Sequence, residues 1–260
     1  MSDSTEGIDL SRPNAARVYD YYLGGHHNFA ADRRMAEDAI ELWPDLPLIM
    51  QANRAFLRRA VRYCADLGVR QFLDLGSGIP TVGNVHEVAQ ERAPGARVVY
   101  VDQEPVAAAY SRSMLRDDPD AAMVQSDLRD PDAVLGAPEV RDLLDLDRPV
   151  ALMVVAVLHF VDDPAEVLAR YRDALAPGSP LVLSHASQEG RPDLAESHSG
   201  LYRQRTSTPM TMRSHAEVTA LFEGFDLVEP GVVFLPEWRP EDPERDPSRF
   251  TGLAGVGIKP

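Results

Sequence analysis

The stretch PVALMVVAV, residues 149–157, constrains this chain more than any other. It has almost no polar side chain to turn toward water. It is too short to cross a bilayer, which takes about 20 apolar residues, and its continuation, LHFV, carries a histidine. What remains is a strand covered on both faces, the signature of a central strand in a parallel sheet.

The sequence around it agrees. After Gly68, short β-branched or apolar runs alternate with helical stretches. RQFLDLG, RVVYVD, AAMVQSD and PLVLSH read as further strands. NVHEVAQER, VAAAYSRSML, PAEVLARYRDAL and HAEVTALF read as helices between them. FDLVEPGVVFL and FTGLAGVGIK supply two last strands. Such alternation predicts an α/β fold with helices on both faces of the sheet. Ahead of it, residues 11–67 read as three helical segments. The first stops at Gly24 and Gly25, the second at Pro44 and the third at Gly68. We therefore divide the chain into an N-terminal helical extension, 1–68, and a sheet domain, 69–260.

Composition narrows the function. The 260 residues include 44% hydrophobic side chains, enough for a sizeable core. The net charge is −15, which opposes non-specific binding to a phosphate backbone. The lone Cys64 excludes an internal disulfide and suits a small core residue. The acidic N-terminus, MSDSTEGIDL, is unlike a secretory signal. The expectation is a cytoplasmic protein that binds neither nucleic acid nor membrane.

In α/β folds of this kind, ligands bind beyond the carboxyl ends of the strands. The first strand ends in DLGSGIPTVG. Gly76 and Gly78 let the backbone turn sharply and approach a ligand, although an ordinary strand-to-helix turn would look the same. Asp74 precedes them. A carboxylate there is awkward beside a pyrophosphate and suits a cationic ligand. The second strand ends at Asp102, 24 residues after Gly78, near the ~20-residue spacing at which an acid takes ribose hydroxyls. A solvated loop acid is the plainer alternative. The third ends at Asp127, which could accept from an exocyclic amine or cap a helix. Together these features suit a nucleoside with a positive charge and no phosphates, a description that fits S-adenosylmethionine.

The segments RVYDYYLGGHHNFAADR, FLDLGSGIPTVGNVHEVAQ, VVYVDQEPVA, VLHFVDD, APGSPLVLSH and GFDLVEPGVV, in this order, resemble the bacterial S-adenosyl methyltransferase family within the class I methyltransferases. The resemblance covers nearly the whole chain. It implies a Rossmann-like seven-stranded sheet in the order 3-2-1-4-5-7-6, with the last strand antiparallel. It implies that Gly76, Ser77 and Gly78 hold the methionine portion with Asp74. Asp102 would hold the ribose, with Gln103 beside the adenine and Asp127 and Leu128 at the adenine edge. The product would be S-adenosylhomocysteine. Relatives often carry Asn-Asp after the ribose acid, where this chain has Gln103 and Glu104.

YLGGHHNF, residues 22–29, admits three readings. A metal site is disfavoured: adjacent histidines rarely serve one metal, and no acid or cysteine stands at helix-face spacing beside them. No metal is expected. A helix stop followed by a solvent-facing loop is the second reading. A lid over the cofactor is the third and the one we favour. Gly24 and Gly25 would permit close approach, Tyr19, Tyr22 and Phe29 would offer aromatic faces to a sulfonium, and Asn28 would bond the ligand's amino or carboxylate end.

His159 and His185 follow the fourth and fifth strands and are the candidate general bases for an acceptor that must lose a proton. Each could instead cap a strand or orient the cofactor. His86 is expected to hold the glycine loop. Residues 187–215 read as an insertion suited either to an acceptor pocket or to a surface loop. The expected function is methyl transfer to an unidentified small molecule. A non-catalytic binder of S-adenosylmethionine or S-adenosylhomocysteine would show the same ligand residues. An NAD(P)-linked oxidoreductase would share the fold class but not Asp74.

Overall fold

The computed structural model describes residues 10–260 except 82, 207, 208, 243 and 245. The start of the N-terminal extension and two positions of the 187–215 insertion thus lie outside the described residues. Among the described residues three helices come first: α1 (Ala15–Tyr22), α2 (Ala30–Leu42) and α3 (Leu46–Asp66). The alternating region follows: β1 (Gln71–Leu75), α4 (Val85–Arg92), β2 (Arg97–Asp102), α5 (Pro105–Met114), β3 (Ala121–Gln125), α6 (Pro131–Leu135), α7 (Pro138–Leu143) and β4 (Ala151–Val155). A 3-10 turn, Leu158–Phe160, leads into α8 (Pro164–Ala174) and β5 (Pro180–Ala186). Then come α9 (Pro192–Arg205), α10 (His215–Ala220), β6 (Asp226–Leu227), β7 (Val233–Phe234) and β8 (Gly252–Ile258).

The sheet runs β3-β2-β1-β4-β5-β8-β6, with β7 also paired to β8. Strands β1 to β5 are parallel, and β8 is antiparallel to β5, β6 and β7. This is the expected order, with β8 in the place of the last strand. The sheet has eight strands rather than seven because FDLVEPGVVFL does not form one strand. Pro230 has no N–H to give a ladder, and Gly231 turns the chain at φ +87°. The short pieces β6 and β7 lie on either side of that break.

Strand periodicity assigns each side chain a face. Phe72, Val98, Tyr100, Met153, Val182 and Val256 share one core with the N-terminal helices, including Val18, Met35, Phe56 and Val61. Leu73, Val99, Leu152, Val154 and Leu183 point to the other face, against Val140, Leu168, Tyr171 and Phe222. Each fully buried side chain of this size contributes roughly 1.5–3 kcal/mol by leaving water. Helix α3 is therefore a layer of the sheet's own core, and the division at residue 68 follows sequence texture rather than packing.

Asp74 has the parity of Phe72, so it projects beneath the N-terminal helices. In β5, Ser184 has that same parity as Val182, whereas His185 has the parity of Leu181 and Leu183.

Helix ends follow local chemistry. Asn14 caps α1 by accepting from the Ala16 N–H at 2.8 Å, one turn later than the expected start near Ser11. Asp32 in the first turn of α2 accepts from the Phe29 N–H at 2.9 Å. It also takes the Asn14 N–H and the Arg17 guanidinium, each at 2.9 Å. Arg17 reaches on to Glu104 at 2.7 Å. This buried Asp32–Arg17–Glu104 array ties α1 and α2 to the loop after β2. Its members are far apart in the chain, so no sequence pattern marks it.

Candidate active site

A cavity of about 210 Å³ opens at the carboxyl ends of the parallel strands. Its wall takes residues from the loops after β1 to β5, from the N-terminal helices and from α9. Of the residues singled out in the sequence, Tyr19, Tyr22, Asp74, Gly76, Ser77, Gly78, Asp102, Gln103, Asp127, Leu128, His159 and His185 line it. Gly24, Gly25, Asn28 and Phe29 do not; Phe29 packs instead against Ile79, Val106 and Ala107.

The loop after β1 is built for close approach. Gly76 and Gly78 both sit at φ +67°, where only glycine is unstrained. A Cβ on Gly76 would lie 2.2 Å from the Val157 side chain. The N–H groups of Gly76 and Ser77 both donate to the Val101 carbonyl, at 2.7 and 3.1 Å, folding the loop over the end of β2. Among the described residues the Ser77 and Thr81 hydroxyls are buried without partners. Orphaned polar groups at a glycine turn fit a ligand with polar ends.

Asp102 accepts from the Gly78 N–H at 2.7 Å and the Glu104 N–H at 2.8 Å. Burial pushes its carboxyl up to about 6, opposed by those two bonds and aided by the Glu104 charge. Burial pushes Asp74 up to about 7, against the nearby Arg54 charge and with that of Asp102. Two buried carboxylates held near neutrality would be stabilised by a cation or by hydroxyl donors. The strand-end half of the cavity therefore fits a sulfonium nucleoside.

Asp127 is placed less simply. Its carboxylate takes the Arg129 N–H at 2.9 Å and the guanidinium at 2.5–3.0 Å, bonds that hold it below the usual carboxylate range. An adenine amine would share it with Arg129. Leu128 is buried and its carbonyl accepts from Tyr171 at 2.9 Å. Gln103 is exposed at the cavity rim. His86 does not hold the glycine loop as expected. Its N–H and its Nδ1 both bond the Tyr100 hydroxyl, at 2.8 and 2.7 Å.

Gly24, Gly25 and Asn28 serve the loop itself. Gly24 stops α1 at φ +76°. A Cβ on Gly25 would meet Asp20 at 2.0 Å. Asn28 donates to the Asp20 carboxylate at 2.8 Å and to the Gly25 carbonyl at 2.9 Å, so its amide is spent within the turn. Tyr19 is anchored too, its hydroxyl accepting from Asn53 at 2.9 Å. No group of three or more His, Cys, Asp or Glu side chains suited to a metal occurs among the described residues.

The two candidate bases separate sharply. His185 bonds the Ala186 carbonyl through Nδ1 at 2.6 Å and the Arg213 guanidinium through Nε2 at 2.8 Å. A guanidinium only donates, so Nε2 is the acceptor and Nδ1 carries the proton. Burial takes the ring down to about 4. Arg213 also donates to the carbonyls of Leu158, Val161 and Asp162 at 3.0–3.2 Å. The pair fixes the 3-10 turn that carries His159. His159 makes one long contact, 3.5 Å from the Ala186 N–H to Nδ1, too weak to fix a tautomer. Burial, with the proximity of His185, His198 and Arg213, pushes it well below the usual histidine range. Its ring is therefore neutral at physiological pH, the form in which a nitrogen can accept a hydrogen bond from an acceptor hydroxyl.

The other half of the cavity is aromatic. Rings follow one another from Trp43 to His198 (5.9 Å between centroids), Tyr202 (5.0 Å), Phe160 (5.9 Å) and His159 (4.3 Å). The sequence offered His198 and Tyr202 only as part of an insertion. Their spacing of four on one helix was the available signal.

The whole chain, residues 1–260, matches the family described as S-adenosyl methyltransferase. It is 42% identical to a protein of Thermobifida fusca YX whose name is provisionally that of a methyltransferase. That crystal structure superposes with a TM-score of 0.94 over 100% of this chain and 99% of the other. A DUF574 family protein from Streptomyces avermitilis MA-4680 is 40% identical, with a TM-score of 0.92 over 97% and 100%. The N-methyltransferase NodS from Bradyrhizobium japonicum WM9, solved with S-adenosyl-L-homocysteine, shares the fold alone: 15% identity, TM-score 0.51, over 94% and 99%. No curated protein matches. The chain belongs to the S-adenosyl methyltransferase family and is a methyltransferase whose cofactor is S-adenosylmethionine.

Proposed function

We propose that this enzyme methylates a small molecule at a group that must lose a proton, with His159 as the base. The observation that carries the reading is the contrast at the cavity wall: among the described residues the His159 ring makes only one long hydrogen-bond contact, while both nitrogens of His185 are committed.

Bound S-adenosylmethionine supplies a methyl group already activated by its sulfonium. The protein's part is to hold, orient and exclude water. Asp102 accepts the ribose hydroxyls, and the bonds from the Gly78 and Glu104 N–H groups fix its orientation. Asp74 offsets the positive charge of the ligand. The loop from Gly76 to Gly78, with the Ser77 hydroxyl, holds the methionine end. Gln103, Asp127 and Leu128 flank the adenine. Tyr19 and Tyr22 of α1 cover the ligand, and the Asp32–Arg17–Glu104 array keeps that cover against the ribose loop. His159 accepts the proton that leaves the acceptor, and Arg213, through His185 and the backbone of residues 158–162, holds its turn in place. A net charge of −15 and an enclosed aromatic half-cavity support a small acceptor over nucleic acid.

Methyl-labelled cofactor, incubated with wild type and His159→Asn and a panel of small hydroxylated compounds, tests this. Transfer by wild type, lost in the variant while S-adenosylhomocysteine still binds, is expected. Equal transfer by both removes His159 from the chemistry. Binding without transfer to any compound favours a non-catalytic ligand sensor.

A further inference from the structure

Three buried groups around the aromatic half of the cavity lack the partners their burial demands. Among the described residues, the indole Nε1 of Trp43 and both ring nitrogens of His198 have no hydrogen-bond partner and are shielded from bulk solvent. Trp43 and His198 are 2% and 3% exposed, on different segments of the chain, and both line the cavity. A buried unpaired donor or acceptor costs about 1–3 kcal/mol. Close by, the phenols of Tyr22 and Tyr202 lie near enough for each to influence the other's ionisation. The Tyr22 hydroxyl has no hydrogen bond of acceptable geometry.

These groups dictate a ligand. The indole N–H can only donate, so it requires an acceptor atom. Burial alone takes His198 down to about 4, so its ring is neutral and offers one donor and one acceptor. A hydroxyl, which both gives and accepts, satisfies the pair together. Charge is excluded by the surroundings. The charged residues of the cavity wall, Arg54, Asp74, Asp102, Glu104, Asp127 and Arg129, lie on the strand-end loops or, for Arg54, act on Asp74. Among the described residues no charged group shifts the His198 ring, and an unpaired buried ion is costly. The rings of Tyr202 and Phe160, with Met210 and Met212, give flat and adaptable apolar walls that end at His159.

From these observations we infer that Trp43, His198 and the Tyr22–Tyr202 pair form the acceptor subsite, and that it takes an uncharged aromatic compound carrying a hydroxyl at the end remote from His159. A second hydroxyl, at the His159 end, is the one methylated. Its oxygen forms the new C–O bond as its proton passes to His159, and the S–C electron pair stays on sulfur, giving neutral S-adenosylhomocysteine. This inference rests on the proposed function for its reaction but not for its binding.

Three shape-matched probes test the subsite: 2,6-dihydroxynaphthalene, with hydroxyls at both ends; 2-naphthol, with one; and 6-hydroxy-2-naphthoate, an anion. Each is titrated calorimetrically into the full chain with and without saturating S-adenosylhomocysteine. The dihydroxy compound is expected to bind about tenfold more tightly than 2-naphthol, the worth of one well-placed hydrogen bond, and the anion least. His198→Phe should reduce that preference to about threefold or less.

A second measurement avoids the risk that the variant misfolds. The chain has two tryptophans, so the indole N–H region of a nitrogen–proton correlation spectrum holds two signals, assigned with Trp43→Phe. The dihydroxy compound should move the Trp43 signal downfield and leave that of Trp238, which is buried but off the cavity wall. Equal binding of the two neutral probes, preference for the anion, an unmoved Trp43 signal, or no binding of any probe overturns the inference. Failure of S-adenosylhomocysteine to bind overturns the cofactor assignment instead, because the probes without it still report on the subsite.

Discussion

The strand-end half of the cavity holds Asp74 within β1, Asp102 at the end of β2 and Asp127 just beyond β3, all positioned by the sheet itself. The helical half holds Trp43, His198 and Tyr202 on α9 and the N-terminal segments, which meet only through packing. The first half is acidic and its backbone amides are already aimed. The second is uncharged and leaves its polar atoms unpaired. On the proposed reading, the difference separates two tasks. A fold that always binds the same nucleoside can fix that site in its strand order, whereas the acceptor site is set by segments free to vary around it.

The largest effect should come where the halves meet. His159→Asn is expected to cut methyl transfer by roughly 10²–10⁴-fold, the usual worth of a general base, while affinity for S-adenosylhomocysteine stays within about threefold. A parallel loss of binding would mean that His159 belongs to the nucleoside half.

Next, Asp102→Ala removes a charged acceptor from the ribose. Hydrogen bonds to charged groups are each worth about 1.5–3 kcal/mol, so the dissociation constant for S-adenosylhomocysteine should rise about 100-fold. Unchanged affinity by calorimetry would sink the ribose assignment.

His185→Phe should act on stability rather than chemistry. It leaves the Arg213 guanidinium without one of its partners and should cost about 2 kcal/mol. For a chain of this size that is a fall in Tm of roughly 4–8 °C, with the rate per folded molecule close to wild type. A rate loss with no change in Tm would restore His185 as a base.

The strand-end half should also show a pH signature. Asp74 and Asp102, raised to about 7 and 6 in the free protein, are partly protonated below those values. Their folded-state pKa values exceed the unfolded ones, so the free protein binds extra protons between about pH 4 and 7 and loses stability as pH rises through that window. A cationic ligand prefers the ionised acids. Affinity for S-adenosylmethionine should therefore climb roughly fivefold or more from pH 6 to 7.5, and less for S-adenosylhomocysteine, which lacks the sulfonium charge. Parallel profiles for the two ligands would remove Asp74 from the sulfonium.

The smallest effect is expected at Tyr22, whose ring spans the two halves. Tyr22→Phe deletes one hydroxyl and should raise the cofactor off-rate by about two- to fivefold in stopped flow. An unchanged off-rate would confine Tyr22 to the acceptor side.

The same contrast explains what could be read in the sequence. Strand order, the glycine turn at Gly76 and Gly78, and the acids after the first three strands follow from periodicity and spacing, which are local. The break at Pro230–Gly231 was legible too, yet the apolar residues on either side suggested one continuous strand. Strand alternation already sets His185 apart from Ser184, which takes the parity of Val182, although both line the cavity. His159 lies beyond the strand on a 3-10 turn, where alternation gives no guide. The fates of Gly24, Gly25 and Asn28 depended on Asp20, and the choice between a turn and a ligand contact could not be made from composition. The meeting of Trp43 with His198, residues from distant parts of the chain, depends on how α2 and α9 dock. No periodicity records it.

The crystal structure of the S-adenosylhomocysteine complex tests most directly that the two halves serve nucleoside and acceptor. The ribose hydroxyls should lie within hydrogen-bond distance of Asp102, with the sulfur directed toward His159 and the aromatic half unfilled. A nucleoside seated between Trp43 and His198, or a ribose away from Asp102, would contradict the assignment of both halves.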